Sequence, residues 1–239
     1  MCRLLRNVVL MLGLAGLFLT ACFSAPVVGK IESDSKSIDP DGAESVRVGI
    51  LMGAGKLEVQ DGAVGLLDAA LRYSHPSLAP DIRYRVRNNG VGYLEIEQDE
   101  SHDFHVHDNY LNSWDLALNS DIHLDLDVTL GAGECDLNLS DLNLGSLFLQ
   151  MGAGEATVNL DAYAGQDLEV SIQGGVGELT ILLPSSSQIE ASVSGWLGEI
   201  NVRGLVFEDG FYRNESSGSG PNISIQVEAG IGQVNLFMQ

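Results

Sequence analysis

From Val46 onward the chain alternates apolar and polar residues with a period of two, the spacing that puts every second side chain on one face of a β-strand. Val46, Val48, Ile50, Met52 and Ala54 share one parity, but beyond Gly53-Ala54-Gly55 the apolar positions move to Leu57 and Val59. The same switch occurs at Gly131-Ala132-Gly133, where Leu124, Leu126, Val128 and Leu130 give way to Cys135, Leu137 and Leu139. It recurs at Gly152/Gly154, Gly175/Gly177, Gly195/Gly198 and Gly230/Gly232, with a degenerate copy stepping from Val91 to Leu94. An extra residue at each switch would turn the following side chains outward unless the backbone bends or bulges, which glycine permits. The pattern predicts short strands joined at Gly-x-Gly corners, both facing one core. No helical pattern or GK[ST] follows these glycines, which argues against a phosphate loop.

The residue after each late corner is Glu134, Glu155, Glu178 and Glu199, at intervals of 21, 23 and 21 residues. These are lengths of supersecondary repeats. An all-β solenoid, β-helix-like, with rungs about 4.8 Å apart is therefore expected, with a β-sandwich as the alternative. The earlier part is less regular: Leu67, Ala69, Leu71 and Tyr73 alternate, as do Ile82, Tyr84 and Val86, which predicts strands around the turn HPSLAP. The stretch from Cys22 to residue 45 is rich in Ser, Asp, Gly and Pro and reads as a flexible tether. The expected divisions are a leader over 1–21, the tether over 22–45, an N-terminal β part over 46–119 and a β-repeat part over 120–239. The final run ends in phase at Val234, Leu236 and Met238 without a polar cap. It is expected to be a sheet edge, either covered by the excursion around Gly210 to Gly220 or pairing with a second copy.

The first residues change the picture of where the protein works. Arg3 and Arg6 precede an apolar run of signal-peptide length that ends in Leu19-Thr20-Ala21-Cys22. That tetrapeptide resembles the bacterial lipobox, which implies lipid attachment at Cys22, loss of the leader, and a domain held to a bacterial membrane outside the cytoplasm. Of the three cysteines only Cys135 would then remain besides the lipidated one, so no internal disulfide is expected, and its apolar-phase position reads as a buried structural thiol. A formal charge of −21, from 12 basic and 33 acidic residues, argues against a nucleic-acid partner.

Three groups of residues could carry chemistry. Alternation in HDFHVHD places Asp103, His105 and His107 on one strand face, a partial donor set for zinc. Stacked rungs would align Glu134, Glu155, Glu178 and Glu199 into a column of like charge that calcium could neutralise together with Asp125, Asp127 and Asp136. Each glutamate could equally accept hydrogen bonds at its own corner. Cleavage of an envelope polysaccharide is the enzymatic alternative, but after Val128 only Arg203 and Arg213 are basic and no acid/base pair stands out, so no catalytic residue is assigned.

The run SWDLALNSDIHLDLDVTLGAGECDLNLSDLNLGSLFLQMGAGEATVNL resembles the toast-rack family of bacterial envelope proteins, related to the cell-wall-active-antibiotic response proteins and similar to adhesin-like repeat domains. The resemblance covers nearly all of Val46 to Gln239. It implies a β-helical fold, no catalytic residues or cofactor, and an envelope role in attachment or stress response. Antibiotic-response members commonly carry membrane helices ahead of this domain, whereas this chain has a lipid site. The expected function is that of a noncatalytic, lipid-anchored surface for an envelope protein or polysaccharide, with regulation of the wall-antibiotic response as the alternative.

Overall fold

The computed structural model describes residues 31–98, 110–195, 197–214 and 220–239. Five long strands carry the repeat: β2 (Ser45–Asp61), β7 (His123–Asn138), β8 (Leu144–Asn159), β9 (Leu168–Leu183) and β14 (Asn222–Met238), joined in parallel in that order. Each runs through its Gly-x-Gly unit, so the corners lie within strands instead of between them. The first corner glycine drops out of the ladder and pairing resumes one residue later, for example from Met52↔Leu130 to Ala54↔Ala132. The register between strands is unchanged across the gap, and the bend at the glycines moves the buried set from Leu124, Leu126, Val128 and Leu130 to Cys135 and Leu137.

A strand of this length would extend about 50 Å if straight. The link from β7 to the start of β8 covers only residues 139–143 and reaches at most about 18 Å. Each strand must therefore fold back on itself at the glycines, and its two halves enclose the core between them. One row through the core is Leu94, Val48, Leu126, Leu147, Val170, Ile225 and Ala191, and the facing row includes Trp114, Leu57, Cys135, Ala156, Leu179 and Val234.

The corner glycines form two columns. Gly53, Gly131, Gly152, Gly175 and Gly230 make the first; Gly55, Gly133, Gly154, Gly177, Gly232 and Gly198 the second. A Cβ on Gly131 would stand 2.3 Å from the Gly53 carbonyl oxygen, and one on Gly154 would stand 1.9 Å from that of Gly133. Gly154 also has φ +131°, a conformation that side chains disfavour. Gly195 stands one residue ahead of the first column, so only Gly198 of that expected pair is in register, opposite Gly232. The step from Val91 to Leu94 is no corner either. It opens β5 (Val91–Glu97) after a hairpin turn from β4 (Asp81–Val86), closed by the Gly90 amide donating to the Arg87 carbonyl.

At the N-terminal end the half-rungs β5 and β6 (Asn112–Leu118) pair with the two halves of β2. β3 (Leu67–Tyr73) and β1 (Glu32–Ile38) then extend the sheet antiparallel. Part of the expected tether is thus a strand. β1 lacks apolar alternation because both its faces are largely exposed, and it is held by backbone pairing and by polar contacts such as Lys36 Nζ donating to the Ile82 carbonyl.

At the other end, β14 (Asn222–Met238) lies between β9 and the two half-rungs β10 (Gln188–Ser194) and β11 (Leu197–Arg203), parallel to all three. The expectation that the last strand is an edge is therefore corrected: both its sides are paired. The hairpin of β12 (Val206–Glu208) and β13 (Phe211–Arg213) adds to β10, not to β14.

Two kinds of glycine should separate on substitution. Gly131→Ala, whose only defect is the clash with Gly53, is expected to lose about 2–4 kcal/mol of stability. Gly62→Ala, with φ +117° and nothing within 4 Å of the new methyl group, is expected to lose only about 1 kcal/mol. Equal denaturant midpoints for the two variants would contradict the stacked-corner geometry.

Candidate functional site

The folded rungs present two outward faces, one on each side of the corner. On the second halves, pairing builds the row Lys56, Glu134, Glu155, Glu178, Gln233 and Glu199. The expected glutamate column is present over three rungs, but the insertion of β14 places Gln233 between Glu178 and Glu199. Lys56 ends the row and reaches Glu58 at 2.6 Å, Asp136 at 3.7 Å and Glu134 at 4.0 Å. Glu178 accepts from Asn235 Nδ2 at 2.8 Å, and Asn235 continues into an amide ladder by accepting from Asn201. Repulsion is relieved by one cation and by side-chain amides. Among the described residues no three His, Cys, Asp or Glu side chains converge as a metal would require, so the expected calcium set is not gathered into one site. Asp103, His105 and His107 lie outside the described residues, as does Cys22.

The inner end of the corner is closed by side chains the periodicity did not single out. Gln98 Oε1 accepts from the Gly53 amide, while Asn112 Nδ2 and Tyr110 Oη donate to the Ala54 carbonyl. Asn112 in turn accepts from Trp114 Nε1. These groups satisfy backbone polar atoms that would otherwise be the exposed end of the ladder. Outside the corner, the middle residues grow from Ala54, Ala132 and Ala153 to Val176, Ile231 and Leu197, and the last three are exposed.

The face of the first halves is mixed in charge. Arg85 grips Glu95 with both terminal nitrogens at 2.8 and 3.1 Å, which holds the Glu95 carboxyl below its ordinary range. Arg87 and Arg85 stack on Tyr93, and Arg47 stands 3.8 Å from Asp125, which accepts from Ser146. Around Gly49 a surface groove of about 410 Å³ is lined by Arg47, Tyr93, Glu95, Asp125, Asp127 and Phe148. Asp127 is exposed and makes no hydrogen bond or ion pair among the described residues, and the desolvation it does suffer from neighbouring groups raises its pKa.

Cys135 is buried between Leu57 and Ala156 in the core stack, and desolvation pushes its thiol up to about 12. It is a packing residue, without the thiolate character that nucleophilic chemistry needs.

Residues 27–182 match the family described as the N-terminal domain of toast_rack, DUF2154. Among solved structures, a candidate cell adhesion protein of Clostridium sporogenes is 31% identical, with a TM-score of 0.81 over 88% of this chain and 100% of that one. A candidate adhesin of Bacteroides fragilis is 12% identical, with a TM-score of 0.34 over 87% of this chain and 97% of the other. No curated protein matches the chain significantly.

Two measurements check this electrostatic and packing picture. Cys135 should resist thiol-reactive probes at pH 8 in the folded protein and react once denaturant unfolds it; rapid labelling under native conditions would contradict its burial. The hydrogen bond and charge of Glu58 chiefly, with help from Asp136 and Glu134, raise the Lys56 pKa above 10.5. Lys56 therefore supports the fold fully below pH 10.5 and loses that support as pH climbs through its raised folded value. Lys56→Met should melt lower than the parent at pH 8, and the gap should close above that value.

Proposed function

The chain belongs to the toast_rack family, and we propose that it is a noncatalytic attachment protein that presents the outer faces of its solenoid from a lipid anchor at Cys22. The single observation that carries this reading is the architecture. Paired rungs hold rows of side chains in fixed register over an extended surface, and among the described residues Glu58, Glu95 and Glu178 are engaged by Lys56, Arg85 and Asn235. Similarity to the C. sporogenes candidate cell adhesion protein over the whole of that chain supports attachment as the use of this surface. Among the described residues no helix is long and apolar enough to cross a membrane; the anchor in this reading is the cysteine of Leu19-Thr20-Ala21-Cys22.

Two acyl chains give stable membrane attachment where one gives only marginal binding. Cys22→Ala is expected to move the protein from the membrane to the soluble fraction, or to leave the uncleaved precursor, and unchanged processing and fractionation would refute the anchor. Attachment itself is tested by sedimenting the purified full chain with isolated bacterial envelopes and, in parallel, with vesicles of the envelope lipids alone, which report the lipid anchor. Saturable co-sedimentation above the vesicle level supports the reading, and its absence from every envelope tried sinks it.

A further inference from the structure

We propose that the groove over Gly49 is a binding site for a neutral saccharide, which deepens the attachment reading and rests on it. The glycine itself carries the first part of the argument. Gly49 is interior to β2 and paired on both sides, with Glu95 on β5 and Asp127 on β7. Glycine in such a place weakens a strand, and it is ordinarily kept for an unusual dihedral or a close backbone approach. Neither applies here. Its φ lies outside the left-handed region, and a Cβ would meet nothing closer than the Leu94 carbonyl oxygen at 4.0 Å. The contrast with the corner glycines, where the same atom would stand near 2 Å from a carbonyl, is sharp. What Gly49 leaves is space on the outer face, a gap one side chain wide in an otherwise filled lawn, and it opens into the groove of about 410 Å³.

The walls of the gap narrow the choice of occupant. Its floor is backbone already paired to β5 and β7, so an added peptide strand finds no free donors or acceptors. Asp125, Asp127 and Glu95 repel anions. A metal ion lacks the three convergent ligands it needs among the described residues. A bare amine would meet Asp127 favourably, but Arg47 stands at the same mouth, 3.8 Å from Asp125. A sugar meets the whole set. Its hydroxyls can donate to the carboxylate of Asp127, which has no partner among the described residues, and accept from Arg47, while a C–H face packs on Phe148 or on the edge of Tyr93. Charged acceptors, a charged donor and aromatic carbon within one shallow groove match the alternating C–H and O–H surface of a pyranose.

The test titrates the purified full chain with neutral trisaccharides of glucose, mannose and N-acetylglucosamine, read by ligand-observed NMR, with trilysine in parallel. At least one trisaccharide should bind. Gly49→Val, which fills the gap, and Asp127→Asn, which removes the charged acceptor, should each weaken that binding at least tenfold, while Gly49→Val melts no lower than the parent. Should the valine variant fold poorly, Gly49→Ser fills the same space and decides in its place. The groove assignment is overturned if no trisaccharide binds, if trilysine alone binds, or if filling the gap leaves sugar binding unchanged. Envelope sedimentation, counted above binding to vesicles of the envelope lipids, separates the two readings: equal binding above that level by the parent and Gly49→Val removes the groove and leaves attachment standing, whereas none by either removes attachment.

Discussion

The approach of one backbone to the next at the Gly-x-Gly corners is the constraint on which the rest of the molecule depends. Each rung must double back within its own length, and the next rung must do so directly on top of it, with carbonyl oxygens occupying the space that side chains would take. Two columns of glycine make that stacking sterically permissible. Once the corner is fixed, register follows on both sides of it, because a one-residue slip would turn every core side chain outward. Leu126 then stacks on Leu147 and Cys135 on Ala156 without further instruction.

Much of this was legible in the residues. The change of parity at each Gly-x-Gly marked the bend, and the 21-residue interval between Glu134 and Glu155 marked the rung. Glycine spacing alone does not distinguish a stacked bend from a hairpin turn, so Gly195 falls outside the column and the step from Val91 to Leu94 follows a hairpin turn instead of a corner. β1 was invisible for a different reason. Its stability comes from ladder hydrogen bonds and polar contacts at an exposed edge, which leave no period in ESDSKSI. The place of β14 was hidden as well, since equal repeat lengths suggest that neighbours in sequence are neighbours in space, and the β12–β13 excursion interrupts that rule.

The candidate surfaces were harder to foresee because they are made of rows that cross strands. Gly49, Asp127 and Phe148 fall on adjacent strands and share a row only after register is set, so no linear motif unites them. The glutamate row was foreseeable from equivalent corner positions, yet its physical character depends on Lys56 at one end and Gln233 within it. Charge on these faces is balanced locally, through Arg85 with Glu95 and Lys56 with Glu58, even though the chain as a whole is strongly acidic.

The insertion of β14 between β9 and the β10/β11 pair sets the order in which the molecule can be assembled. A stacked repeat can normally zip up from one end as the chain emerges, each rung docking on its predecessor. Here the rung that belongs on β9 is synthesised after β10 and β11, which have the same polarity and a compatible corner glycine. Premature docking of that earlier rung on β9 would occupy the slot in a native-like register and would have to be undone before β14 could enter. Seating β14 on β9 therefore requires closing the chain over residues 184–221, a long-range step like the one that brings β7 onto β2 across residues 62–122.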